Sequence, residues 1–319
     1  MKTLALILCG LVLSGFAALM FNYTRHDLEV ADIDEELRKS APGMFVKTSA
    51  GYTHYQIAGP PASSPASSDD ERVVVLVHGF SVPYYLWTGT FEMLGNAGFK
   101  ALRYDLYGRG LSDRPDVSYD ADLFDQQLVE MLDALHIAGK VDLVGASMGG
   151  PIIATFACRH PDRVRSLMFF DPGYSHGDQP PGILKTPLLG EYIMAVDIAP
   201  HMPEDQLKDF EHPEKFPDWP DRFRPQMRFK GFRRAILSTV RDYLPMDLSK
   251  EFACVGRGTA PVLLVWGRND RDVPFEKSRD VRQAIPRAQF VAVDDAAHVP
   301  MLEHPEVVHP AMVAFLQAH

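Results

Sequence analysis

The chain has 319 residues, of which 46% are apolar and 23% charged. That composition fits one large globular domain or two small ones and excludes disordered and fibrous classes. A formal net charge of -10, with no basic run longer than Arg233-Arg234, argues against nucleic acid as a partner.

Lys2 precedes an apolar run from Leu4 to Phe21, and polar sequence starts at Asn22. Residues 1–24 therefore read as a membrane anchor or a cleaved export signal. The small-residue cleavage sites at Gly15-Phe16-Ala17 and Phe16-Ala17-Ala18 are weak. The amino terminus and Lys2 outweigh Arg25, which puts the remainder, 25–319, outside the cytoplasm: membrane-anchored if the segment stays, secreted or periplasmic if it is removed. Of the three cysteines, Cys9 lies in this run, so Cys158 and Cys254 form the one possible bridge. Outside any CxxC or Cys/His cluster, both read as buried small hydrophobes.

Phe45 to Ile57 reads as two short strands, with alternation in Tyr52, His54 and Gln56. Gly59 to Asp70, rich in Pro, Ser and Ala, reads as a surface connection. Val73 to Val77 is a continuous β-branched run, the mark of a strand buried on both faces. Ala101–Tyr104, Val141–Val144, Val164–Phe170, Val262–Trp266 and Phe290–Val293 read likewise. Leu128, Met131, Leu132 and Leu135 share one face of a helix that starts near Asp120 and Asp122. Strands alternating with helices predict an α/β fold with a mostly parallel sheet covered on both faces. From about 174 to 258 the rhythm breaks into prolines, aromatics and mixed charge. This stretch is expected to be a helical lid over the carboxyl edge of the sheet.

Gly145-Ala146-Ser147-Met148-Gly149 lies between the strand Val141–Val144 and the helical run Ile152–Cys158. In that setting Gly-x-Ser-x-Gly is a nucleophile elbow. Ser147 is lifted above the sheet at a helix N-terminus, and the glycines are there because neighbouring backbone comes too close for a side chain. A serine needs a base, and the base an orienting carboxylate. His298 follows the last buried strand, and Asp270 follows the strand ending at Trp266-Gly267. Both fall in chain order after Ser147 and at the same sheet edge. Asp272 and Asp171 are the alternative acids.

The oxyanion donors are expected to be the backbone N–H groups of Met148 and Phe80. Their side chains are then free to shape an acyl pocket together with Trp87, and with Tyr84 and Tyr85 as further candidates. His78 is expected to brace its loop, Asp105–Ser112 to be a turn, and Glu303 to start the last helix. No metal or cofactor motif is present in the sequence.

His78-Gly79-Phe80, Asp105 to Ser112, Gly145 to Gly150, Trp266 to Asp270 and Ala297 to Glu306 together resemble the α/β-hydrolase superfamily. The resemblance runs from about residue 45 to the C-terminus. It is strongest to small lidded esterases and monoacylglycerol-lipase-like enzymes, meta-cleavage-product C–C hydrolases and cofactor-free haloperoxidases. It implies a serine esterase acting through an acyl-enzyme on a small-molecule ester, with lipid-derived esters fitting an anchor and a lid. Dehalogenases and epoxide hydrolases use an aspartate nucleophile, against which Ser147 argues. Phe80 stands where C–C hydrolases continue a glycine-rich loop. An acyltransferase would carry the same triad, and a non-enzymatic ligand receptor on this fold would function without Ser147.

Overall fold

The β-branched runs come together in a single sheet in the computed structural model, which describes residues 2–59, 72–175, 177 and 179–319. The strands are β1 (Met44–Thr48), β2 (Gly51–Ala58), β3 (Val73–Val77), β4 (Lys100–Tyr104), β5 (Val141–Ala146), β6 (Val164–Phe170), β7 (Val262–Gly267) and β8 (Gln289–Val293). Their order is β1-β2-β4-β3-β5-β6-β7-β8. The first two strands form an antiparallel hairpin whose second strand runs antiparallel to β4, and all other pairs are parallel.

Every residue of β3, β5 and β7 is buried, as strands covered on both faces require. Alternation divides them between two apolar layers. Val73, Val75 and Val77 face one layer, and Val74 and Leu76 face the other. The Pro-Ser-Ala-rich connection falls, beyond Gly59, outside the described residues.

The helices before the sheet's midpoint are α1 (Lys2–Arg25), α2 (Glu35–Ser40), α3 (Thr90–Asn96), α4 (Ala121–Ala134) and α5 (Gly149–Arg159). Asp120 caps α4 by accepting from the N–H groups of Asp122 and Leu123. Between β6 and β7 lie α6 (Gly182–Lys185), α7 (Leu189–Ile193), α8 (Ala199–Asp205), α9 (Trp219–Phe223), α10 (Phe232–Ser238) and α11 (Ser249–Arg257), with short 3-10 and π turns among them. No strand occurs in this insertion among the described residues. Its helices are short partly because proline recurs: Pro200, Pro220 and Pro225 each stand in the first turn of a new piece. The chain closes with α12 (Lys277–Ala284), α13 (Pro300–Glu303) and α14 (Pro305–Ala318).

Two expectations are corrected here. Cys158 in α5 and Cys254 in α11 are joined as a disulfide, with Cα atoms 6.0 Å apart. Buried small size did not reveal this, because 96 residues separate the two. Closing a loop of that length is worth about 2–5 kcal/mol and pins the last insertion helix to the helix that follows Ser147. Glu303 ends α13 rather than starting the last helix, which begins at Pro305.

The α1 segment Ile7–Arg25 is long and apolar enough to cross a membrane, and its residues 7–21 are all exposed.

Candidate active site

At the centre of the sheet, β5 ends at Ala146 and α5 begins at Gly149, so two residues make the whole reversal. Ser147 takes up the strain, with φ at +50°, a region that is unfavourable for a residue bearing a Cβ. Neighbouring strands hold it there. The Ser147 N–H donates to the Phe170 carbonyl at 2.9 Å, and the Ser147 carbonyl accepts from Gly150 and Gly173, each at 2.9 Å. A Cβ on Gly145 would lie 2.4 Å from the Gly149 carbonyl oxygen, and one on Gly149 would lie 2.4 Å from that of Val77. Glycine is therefore obligatory on both sides of the turn.

His298 sits in the loop after β8, and its backbone N–H donates to the Asp209 carbonyl of the insertion at 3.0 Å. Its ring Nδ1–H donates to Asp270 Oδ2 at 2.8 Å. Asp270 Oδ1 in turn accepts from the N–H groups of Asp272 (2.8 Å) and Val273 (3.0 Å). These bonds fix both the carboxylate and the imidazole tautomer. His298 Nε2 is buried with no hydrogen-bond partner and lies 3.4 Å from Asp272 Oδ2. Ser147 and His298 line one cavity of about 820 Å³.

Burial opposes charging of this imidazole, but Asp270, Asp272 and Asp209 all face it. Together they raise its pKa above the ordinary histidine value.

Asp171 follows β6 with φ at +41° and is fully buried. One oxygen accepts from the Gly267 N–H at 2.8 Å, and the other has no partner. Burial, and then the neighbouring Asp270, push its pKa well above the usual carboxylate range. A ligand atom from each of Asp171, Asp270 and His298 lies within 4.8 Å of the other two. This cluster could hold a cation only by giving up the His298–Asp270 hydrogen bond.

The loop after β3 carries Phe80 against the same cavity. Gly79 leaves room for Ser147, whose Cβ would be 3.1 Å from a Cβ placed there. Neither the Phe80 N–H nor the Met148 N–H donates to another described residue, while the Phe80 carbonyl accepts from Arg109 Nε at 2.7 Å. Met148 itself is packed in the core beneath the turn, and only Phe80 of the two lines the cavity.

His78 braces the loop: its Nδ1–H donates to the Gly79 carbonyl at 2.9 Å, and its Nε2 accepts from the Leu106 N–H at 2.9 Å. This neutral tautomer agrees with a pKa lowered by burial to about 4.

Trp87 is not part of the site. Its ring is fully buried in a T-shaped contact with Phe170. Tyr84 stacks on Arg103, and Tyr85 meets Trp219. In this 3-10 turn it is Leu86 that faces the cavity.

Three residues have roles that the sequence reading missed. Arg109 is fully buried, with no carboxylate partner among the described residues. It ties the Phe80 carbonyl to Thr239 Oγ1 of the insertion, a 2.8 Å bond, and burial lowers its pKa to about 9. Asp209 faces the cavity from the insertion, and burial raises its pKa to about 7. Glu303 accepts from Ala297 (2.8 Å) in the His298 loop and from Glu211 (2.7 Å) in the insertion. The family pattern around Ala297–Glu306 contained Glu303, but nothing in the sequence located its partners.

The model of the alpha/beta hydrolase family matches residues 74–311. The chain belongs to this family. Lipase 3 of Moraxella sp. (strain TA144) is 27% identical over 236 residues, covering 72% of this chain and 72% of that protein. Lipase 1 of Psychrobacter immobilis is 28% identical over the same length and shares. Among solved structures, the enol-lactonase from Burkholderia xenovorans LB400 superposes with a TM-score of 0.72 at 21% identity, covering 86% of this chain and 99% of that one. The meta-cleavage product hydrolase from Pseudomonas fluorescens IP01 gives 0.63 at 20% identity, covering 86% and 98%. These likenesses establish the alpha/beta hydrolase fold across differing chemistries.

Proposed function

We propose that this alpha/beta hydrolase is a serine esterase in which Ser147 attacks the ester carbonyl. His298 Nε2 takes the serine proton, Asp270 steadies the imidazolium, and the N–H groups of Phe80 and Met148 receive the oxyanion. His298 then protonates the leaving alcohol and activates the water that releases the acid. The observation that carries this reading is the strained Ser147, lining the cavity that His298 also lines, with the imidazole already tied to Asp270. The lipases among the relatives support an ester as substrate. Segment Asp205–Pro213 of the insertion walls the cavity, which supports its role as a lid.

The α1 helix serves in this reading as a membrane anchor with the catalytic domain outside the cytoplasm. The Cys158–Cys254 disulfide supports an oxidising compartment.

The test is turnover of p-nitrophenyl esters of rising acyl length, with and without a fluorophosphonate probe. Turnover abolished by covalent labelling is expected. Turnover of a dienoate diketone with esters untouched would replace the reading by C–C hydrolysis, and absence of both label and turnover would remove it.

A pH dependence follows from the carboxylates around His298. Its base form is reached only above the raised pKa, so kcat/KM is expected to climb with pH on a limb displaced to the alkaline side of an ordinary histidine. Asp272→Asn removes a negative charge 3.4 Å from Nε2, destabilises the imidazolium and should move that limb to lower pH with kcat on the plateau retained. A pH profile unmoved by the substitution would show that Asp272 does not act on His298.

A further inference from the structure

The chain leaving α1 is not a loose tether. Asn22, the first polar residue after the apolar run, donates from its side chain to the Tyr192 hydroxyl of α7 at 2.9 Å. Glu29 accepts from the N–H groups of Gly231 (2.8 Å) and Arg233 (2.7 Å), and Asp27 pairs with Arg233 at 2.6 Å. Ala31 exchanges backbone hydrogen bonds with Arg228 and Lys230, both at 2.9 Å. Residues 22–31 are thus clamped onto the helical insertion, so the orientation of the insertion relative to α1 is set by the fold.

The order of these contacts gives a direction. His26 and Leu28 meet Ala195 and Ala199 around one small cavity, whereas Asn22 meets Tyr192. Moving back along α1 toward its apolar centre therefore means moving back along the insertion toward α7's first residue. Leu189 lies three residues before Tyr192, roughly 5 Å further along at helical rise. Extended along that direction, it falls on the apolar side of the boundary at Asn22.

At this position the surface is apolar. Leu188 is 84% exposed, and Ile183 and Leu189 are 45% and 43% exposed. Leu188 also has φ at +65°, where glycine or asparagine would be preferred. Its backbone starts α7, accepting from the Tyr192 N–H at 3.0 Å, but its side chain packs against nothing in this fold. The tip is nonetheless firmly built. Gly190 packs against the Leu184 carbonyl so closely that a Cβ would lie 2.4 Å from it, and Arg241 bonds both that carbonyl and Glu191, each at 2.6 Å. The nearby charges suit a lipid surface: Glu191 is paired with Arg241, and Lys185, bonded to Gln179, adds a positive charge next to the tip.

We infer that Ile183, Leu188 and Leu189 form a lipid-contacting tip that enters the bilayer beside α1 and holds the helical insertion against the membrane surface. Burial of such an apolar tip by several ångströms is the ordinary depth of an interfacial element. The inference rests on reading α1 as a membrane span.

The test uses the full chain in phosphatidylcholine vesicles, in a Cys9→Ser background, labelled with an environment-sensitive nitrobenzoxadiazole dye at one new cysteine. The sites are Leu188→Cys, Leu13→Cys in α1 and Val307→Cys in α14. Blue-shifted emission at Leu188, lost when the lipid chains carry bromine, is expected, as at Leu13 and unlike Val307. Emission at Leu188 that survives brominated lipid while Leu13 is quenched overturns the inference alone, and a blue shift without quenching would assign the tip to a second copy of the chain. A Leu13 label missing from the membrane fraction, or unquenched there, removes the reading of α1 and this inference with it.

Discussion

Ser147→Ala is expected to lower kcat on p-nitrophenyl esters on the order of 10⁶-fold, with KM little changed. The hydroxyl is the group that would form the acyl-enzyme. The other serine on the cavity wall, Ser81, is tied to Gln206 and has no imidazole bonded to it among the described residues. His298 Nε2 has no bonded partner, and the cysteines of the domain are locked in a disulfide. Binding survives because Phe80, Leu86 and the insertion segment that line the cavity are untouched.

Stability should respond differently from activity. Alanine inherits the +50° backbone angle, so Ser147→Ala should leave the unfolding midpoint nearly unmoved. Ser147→Gly relieves that angle at the cost of added freedom in the unfolded chain. It is expected to be about 1 kcal/mol more stable than Ser147→Ala while being equally inactive. Denaturant unfolding beside steady-state kinetics checks both halves. Retained turnover in either variant would sink the proposed nucleophile.

How far the sequence reaches can be judged residue by residue. The strands were readable because parallel strands buried on both faces must be continuously apolar, as Val73–Val77 is, and no other local structure explains such a run. The turn at Ser147 was readable because two glycines are demanded by backbone contacts within a few residues. Chain order placed Asp270 and His298 at one sheet edge, and the structure brings them to 2.8 Å.

What stayed hidden depends on contacts between distant segments. Trp87 looked like a pocket aromatic because three aromatics cluster within four residues, but the turn rotates Leu86 toward the cavity and Trp87 into the core. Asp209 has no local signature at all. It reaches His298 only because the insertion folds back over the sheet edge and its backbone accepts from the histidine N–H. The disulfide needed α5 and α11 to be adjacent, which no pattern in either helix states.

Asp270→Asn is expected to lower kcat about 10⁴-fold, whereas Asp171→Asn should cost no more than about tenfold, a change of roughly 1.4 kcal/mol. The two carboxyl groups lie within 4.8 Å of the same imidazole, and their hydrogen bonds differ. Asp270 accepts two backbone N–H bonds on one oxygen and the imidazole N–H on the other, the pattern that stabilises a carboxylate. Asp171 accepts one backbone N–H and is otherwise enclosed beside that charge, which keeps its proton in place. A fully buried carboxyl group next to another carboxylate holds its proton because a second charge there would be both desolvated and repelled.

Asparagine at 171 reproduces a protonated carboxyl: its oxygen can keep the Gly267 N–H and its amide nitrogen can stand where the hydroxyl was. Asparagine at 270 is neutral, and with its oxygen kept on the Asp272 and Val273 N–H groups its amide nitrogen faces the imidazole and can only donate to Nδ1, which favours the tautomer with the proton on Nε2. That tautomer cannot take the serine proton. Kinetics of the two variants, each checked for an intact unfolding transition, would decide the acid. Equal losses would mean that the pair acts as one proton-sharing unit, and a larger loss at Asp171 would transfer the role to the end of β6.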